Sequence, residues 1–452
     1  MPDISRRHLM GTAAGAAGLG LAGCSLPKLN TSAPSGSGFV SVDGIKFKLN
    51  GQPYHFVGAN IWYGAYLGAT AAFGDRTRLL KELDDLKALG IDNLRVLGSS
   101  ELSPLINSLD PAFTNKPGDY NNDLLIGLDF LLAEMAKRDM KAVLYLTNFW
   151  EWSGGLVTNQ YYTNGGNYIN AGDPAHPWPA FADYSAQFYA SGAAKAVYYD
   201  YVRMLVARTN AITGKFYRDD PTIMAWQLCN EPRPGGTDAS IDKNVEAYYG
   251  WIKDTAALIR SLDANHLVSL GHEGLMGANG REEVVVKAHE HIDYFTAHIW
   301  PQNWSWVDGK NLAGTYDGGA DKVKAYIQAH IDIGRKLNKP VVFEEFGFPR
   351  DDVAFEPGTP TDYRDRFYGM IYAATEDAIR NHTPVAGSNF WAWGGAGRAL
   401  HADYRMLRGE TAYVGDPPHE PQGWYSVFNT DTSTQALIKA HADQIRILSA
   451  AG

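Results

Sequence analysis

From Phe39 onward, apolar residues recur along the chain with two periods that take turns. The stretch FVSVDGIKFKLNGQPYHFVG (39–58) alternates apolar and polar positions around Asp43–Gly44 and Asn50–Gly51. Period-two alternation broken by Asp-Gly and Asn-Gly marks strands joined by tight turns, and it predicts a small N-terminal β-hairpin leading into a first buried strand. Short apolar runs follow at 55–60 (HFVGAN), 91–97 (IDNLRVL), 141–148 (KAVLYLTN) and 223–230 (IMAWQLCN). Four more lie at 266–271 (HLVSLG), 293–300 (DYFTAHIW), 340–347 (PVVFEEFG) and 384–393 (PVAGSNFWAW). Helical periodicity fills the intervals. It is clearest in RTRLLKELDDLKALG (76–90), where Leu79, Leu80, Leu83, Leu86 and Leu89 share a face and Gly90 is a stop. Segments 124–139, 244–263 and 323–338 behave likewise.

Eight strand candidates with helical or loop segments between them are the arithmetic of an α/β fold of the (β/α)8 TIM-barrel type. A doubly wound sheet usually has fewer strands, and no G-x-G-x-x-G follows the first strand here. Barrel active sites lie at the C-terminal strand ends. Polar residues collect there in this sequence: Asn60, Arg95, Asn148, Glu231, Glu273, His298, Glu345, and with them Trp391. Glu231 closes the fourth run, in MAWQLCNEPRP (224–234), and Glu345 the seventh, across the ring. Two carboxylates facing one cleft are what glycoside hydrolysis needs, one as acid and one as nucleophile or base. A lone glutamate would more simply pair with an arginine such as Arg233. FEEFG (343–347) offers two glutamates, and alternation along a strand points Glu344 and Glu345 to opposite faces. Spacing does not say which of them faces the cleft.

Asn230-Glu231-Pro232 together with Glu345-Phe346-Gly347 resembles glycoside hydrolase family 5, a retaining (β/α)8 family; Arg95 in NLRV, His298 in AHIW and Trp391 fit as well. Within it, LTNFW (146–150) followed by SGGL, and DPPHEPQGWYSVFNTD (416–431), resemble the endo-β-1,4-mannanase subfamily. The resemblance implies Glu231 as general acid/base and Glu345, the glutamate directly before the aromatic-Gly pair, as nucleophile. It implies that Asn230 meets the sugar 2-hydroxyl, that Arg95 holds the nucleophile ionised, and that His298 joins the polar network. Trp391 becomes the platform under the sugar. Many family members carry His-x-Tyr where this chain has His298-Ile299-Trp300, so Trp300, with Trp304 and Trp306, is read as a nearby aromatic wall. Trp62, Asn148 and Trp150 lie beyond strand ends and are candidates for distal subsites. The implied reaction is retaining hydrolysis of β-mannan or manno-oligosaccharides by double displacement, without cofactor or metal. An exo-acting β-mannosidase is the runner-up, because segments 151–190 and 394–424 are long enough to block one end of a groove. An endo-β-1,4-glucanase, a non-catalytic glycan-binding barrel and a metal-dependent barrel hydrolase are weaker alternatives. His289-x-His291 has metal-binding spacing, but it precedes the sixth strand and so lies at the wrong end.

Composition changes this picture in three places. The 452-residue chain carries a formal charge of −10, which argues against a nucleic-acid partner. Twelve Trp and 25 Tyr suit a groove of aromatic faces for sugar rings. The N-terminus decides the compartment: Arg6 and Arg7 precede GTAAGAAGLGLAG, a run too short to span a bilayer, which ends in Leu21-Ala-Gly-Cys24. It resembles a twin-arginine export signal with a lipobox. Residues 1–24 are therefore expected to be an export signal and Ser/Pro/Gly-rich 25–38 a flexible linker, with 39–452 a single catalytic domain. The expected location is periplasmic or cell-surface, anchored by lipid on Cys24, or otherwise secreted. Cys229 is the other of the 2 cysteines; it lies in an apolar run and is expected to be a buried, inert thiol.

Overall fold

The computed structural model describes residues 38–451, so the expected export signal at 1–24 and nearly all of the expected linker at 25–38 lie outside the described residues. At the N-terminus, β1 (Val40–Asp43), β2 (Lys46–Leu49) and β3 (Gln52–Tyr54) form an antiparallel meander, one strand more than the expected hairpin. Its turns fall on Gly44 (φ +58°) and on Asn50 and Gly51 (φ +53° and +80°), the left-handed conformations that Asp-Gly and Asn-Gly favour. The meander caps the bottom of the barrel: Phe47 packs on Phe56 at 6.2 Å and edge-on to Tyr294 at 5.2 Å.

The barrel begins with β4 (Phe56–Asn60) and β5 (Asn93–Leu97); a small ribbon, β6 (Thr114–Lys116) and β7 (Asp119–Tyr120), decorates the next connection. It continues through β8 (Lys141–Tyr145), β9 (Ile223–Gln227), β10 (Leu267–Ser269), β11 (Phe295–Ile299), β12 (Val341–Phe346) and β13 (Val385–Phe390). Neighbours pair in parallel, in chain order, and a Ser269–Tyr294 bridge closes the ring between β10 and β11. Each strand falls inside one of the eight apolar runs, because strands covered on both faces read as continuous hydrophobic stretches. β14 (Trp393–Gly395) and β15 (Val427–Phe428) pair in the long connection after β13.

The helix at Arg76–Ala88 buries Leu79, Leu83 and Leu86, is capped by the Asp75 side chain, and ends before Gly90 at φ +84°. The helix expected at 323–338 instead spans Leu312–Leu337. Gly318 and Gly319 hide its first turns from periodicity. Gly319 is required there, since a Cβ would lie 2.3 Å from the Val307 side chain. Two excursions stand over the C-terminal rim of the barrel, 146–222 after β8 and 391–431 after β13.

Candidate active site

The β9 ladder ends at Gln227, three residues short of the expected strand, but the chain keeps its course. Leu228 N–H bonds the Ser269 carbonyl, Asn230 N–H that of Thr147, and Glu231 N–H that of Gly271, each at 2.8 Å. Glu231 then takes a left-handed backbone, φ +50°, which costs a residue with a Cβ roughly 1–2 kcal/mol. That turn, with Pro232 behind it, aims the carboxyl into the cleft. His298 Nδ1 lies 2.6 Å from its Oε1, and the Trp150 indole N–H donates to Oε2.

Glu345 faces it from β12. Arg95 Nη1 donates to Oε1, and Oε2 lies 3.1 Å from His298 Nδ1. One oxygen of each glutamate and a nitrogen of His298 lie within 4.8 Å of one another. This trio is also the one group among the described residues close enough to share a metal ion. His298 Nδ1 is directed at the two carboxyl groups, 2.6 and 3.1 Å away.

Alternation along β12 is the expectation that fails. Ala297 pairs with Phe343 and the next residue, His298, with Glu345, so Glu344 is an extra residue in the strand. The bulge lets both glutamates face the barrel interior. Glu344 lies below the cleft: Gln227 Nε2 donates to its two oxygens at 3.0 and 2.8 Å, and His298 Nε2 lies 3.2 Å away.

Arg95, fully buried on β5, ties the floor together. It donates to Gln227 (2.8 Å), Asn60 (3.1 Å), Asn230 (2.6 Å) and Glu345. Burial opposes its charge, but Glu344 and Glu345 outweigh burial and hold the guanidinium above its ordinary value. Burial would raise Glu344, yet Arg95 and then His298 pull it below the usual carboxylate range. Burial likewise works against protonated His298, and Glu345, Glu231 and Glu344 together hold it well above an ordinary imidazole. The floor is thus a lattice of ions and amides in which every charge has a named partner.

Above it opens a cleft of about 590 Å³. Trp150, Trp178 and Arg233 form one wall. Arg233 lies 5.4 and 5.7 Å from the two indole rings and is gripped by both oxygens of Glu273, so it does not pair with Glu231. Trp300, Trp304 and Trp391 form another, with Trp300 packed edge-on to Trp391 at 6.0 Å. From the connection after β13 come His419, stacked on Trp152 at 6.4 Å, and Glu420. Burial, reinforced by Asp416, Glu345 and Glu231, pushes the Glu420 carboxyl well above its ordinary value.

Of the residues singled out from sequence, Glu231, Glu345, Asn230, Trp150, Trp300 and Trp391 line the cleft, while Arg95 and His298 lie beneath it. Asn148 is buried one layer back, accepting from Asn230 Nδ2 at 3.1 Å. Trp62 does not reach the cleft: it is fully buried, donates to the Gly415 carbonyl at 3.0 Å and packs behind Trp152. Trp306 packs on Trp304 and Tyr326. His289 is spent on the Val285 carbonyl at 2.7 Å and the Phe295 ring. Sequence reasoning missed Trp152, Trp178, Met276, Asn303, His419 and Glu420 as lining residues. They sit on long connections where periodicity carries no signal; the quoted stretch 416–431 was the one pointer to the last two.

A model of the family described as GH family 5 beta-mannosidase-like matches residues 37–450. Mannan endo-1,4-beta-mannosidase 1 of Arabidopsis thaliana is 29% identical over 371 residues, covering 78% of this chain and 82% of that protein. Mannan endo-1,4-beta-mannosidase 1 of Oryza sativa subsp. japonica is 28% identical over 433 residues, covering 92% and 88%. Among solved structures, a glycoside hydrolase family 5 mannosidase from Rhizomucor miehei superposes with a TM-score of 0.83 at 33% identity, covering 92% of this chain and 99% of that one. An endo-1,4-beta-mannanase from the same organism reaches 0.63 at 23% identity, covering 90% and 99%, a likeness of fold alone.

Proposed function

The chain belongs to glycoside hydrolase family 5, among its β-mannosidase-like members, and from that premise we propose that it is a retaining hydrolase cleaving β-1,4-mannosidic linkages within mannans. One observation carries the mechanism: oxygens of Glu231 and Glu345 lie within 4.8 Å of each other. Double displacement needs carboxyl groups about 5–5.5 Å apart, whereas inversion needs about 6.5–9.5 Å to seat a water. Glu345, which accepts from Arg95, attacks the anomeric carbon while Glu231 protonates the departing oxygen. Water then resolves the glycosyl-enzyme with Glu231 as base. Asn230 spends its carbonyl on Arg95 and one N–H on Asn148, leaving its second N–H for a sugar hydroxyl. Trp391 supplies an apolar face for the ring. The mannan-degrading relatives and the tryptophan walls support a mannan or manno-oligosaccharide substrate.

Exo action, the runner-up reading, differs from endo action in its products. Hydrolysis of mannohexaose, followed by proton NMR and chromatography, tests both points. Endo-acting retention yields mannobiose and mannotriose with the β-anomer first. Mannose as sole product overturns endo action, and an initial α-anomer overturns retention.

Export, with lipid on Cys24, is proposed from Arg6, Arg7 and the Leu21–Cys24 stretch. Recovery of Cys24→Ser in the same membrane fraction as the parent protein would rule the anchor out.

A further inference from the structure

Glu344 is a third carboxylate in a site whose chemistry uses two. It is buried, it lies outside the cleft lining, and it faces inward because β12 carries one residue more than β11 at that point. What it faces is His298, the group shared by all three glutamates. Nδ1 of the ring is directed at Glu231 and Glu345, and Nε2 at Glu344, 3.2 Å away. From the other elements packed around it, the ring faces Arg95 behind the carboxylates, Glu273, and the neighbouring His272, which burial keeps uncharged.

A charge count shows what the third carboxylate changes. Arg95 and protonated His298 are two cations; Glu344 and Glu345 are two anions; Arg233 and Glu273 cancel. The site is therefore neutral while Glu231 still holds the proton that double displacement starts with. Without Glu344 the enclosed floor carries a surplus positive charge, which a water-poor interior opposes. The easiest relief is loss of the His298 proton. A neutral ring cannot serve both sides: with hydrogen on Nε2, the Nδ1 lone pair faces two carboxyl oxygens.

We infer that Glu344 is a positioning residue, the counter-ion that holds the Nε2–H of His298 so that the ring stays doubly protonated and keeps its Nδ1–H on Glu231 and Glu345. The charge count and the kinetic consequence rest on the hydrolytic reading above; the contact of Glu344 with His298 Nε2 does not. Gln227 orients Glu344 by donating to both oxygens and is itself an acceptor for Arg95, so the counter-ion is built into the barrel floor.

The test is 15N NMR of the histidine side chains in the full protein and in Glu344→Gln, a near-isosteric change. In the parent protein His298 shows two protonated nitrogens from about pH 5 to about pH 8, well past an ordinary imidazole. In Glu344→Gln it loses a proton within that range. Removal of a charged hydrogen-bond partner predicts kcat on mannohexaose lower by about 10–100-fold with KM little changed, and Glu344→Asp recovers part of it. A neutral His298 in the parent protein overturns the inference, even if the variant fails to fold. So does a folded Glu344→Gln whose imidazole stays doubly protonated, whatever its kcat. If the parent protein cleaves no mannan, the hydrolytic reading fails and the imidazole signals still decide the role of Glu344.

Discussion

Glu231 is held by one donor on each oxygen, the Trp150 indole and the His298 ring, and the two do different work. His298 is shared with the nucleophile; Trp150 touches the acid/base alone. Trp150→Phe leaves an aromatic ring to pack on Phe181, which lies 6.1 Å away and nearly parallel, and removes the N–H together with part of the indole. A hydrogen bond to a charged group is worth about 1.5–3 kcal/mol, so kcat is expected to fall about 10–100-fold in steady-state assays. Glu231→Ala should lose about 10²–10⁴-fold and Glu345→Ala nearly all turnover, each with an unchanged circular dichroism spectrum. Near-normal turnover by either would sink the two-carboxylate mechanism. At this scale the alternation rule misjudged Glu344, for a local reason. A bulge adds one residue and so resets which side chains face inward, and no feature of FEEFG announces it.

Elements are fixed by what each must fit against. Gly387 in β13 admits the Phe56 ring of β4: a Cβ there would lie 2.5–2.7 Å from three ring atoms. Gly387→Ala should therefore cost about 1–3 kcal/mol by overpacking, read as a lower urea midpoint with the cleft chemistry intact. Equal midpoints would mean that the ring moves aside freely. Leucine periodicity located the helix at Arg76–Ala88, whereas the long helix at Leu312–Leu337 hid its first turns behind Gly318 and Gly319. A glycine kept for close packing weakens the pattern from which helices are read.

Across the whole molecule, two sets of buried groups pull stability in opposite directions with pH. Burial lowers His289 to about 3, and His330 and His419 to about 4, whereas unfolded imidazoles bind protons near 6.5. Through that interval the unfolded chain holds more protons, so these groups contribute stability that is lost as pH falls. Burial raises Asp92, Glu101 and Glu151 to about 7, so these carboxyls stay protonated in the fold after the unfolded chain has ionised. They contribute stability that is lost as pH rises from about 4.5 to about 7. Glu101→Gln removes one of them, so its stability relative to the parent should improve by up to ~3 kcal/mol between pH 5 and pH 8. A thermal-unfolding difference that stays constant over that range would contradict this.

The barrel itself was legible in the sequence because parallel strands covered on both faces must be apolar throughout. Polar residues therefore stood out where the strands ended, and Arg95, Glu231, His298 and Glu345 were found in that way, whereas Asn230 came from the family resemblance. The tertiary structure decided the rest: the inward turn of Glu344, the burial of Trp62 behind Trp152, and the entry of Trp178, His419 and Glu420 into the cleft. Periodicity reports only which face of an element is covered. It cannot report a strand's register at a bulge or the course of a long loop, since both are set by contacts between residues far apart in the chain.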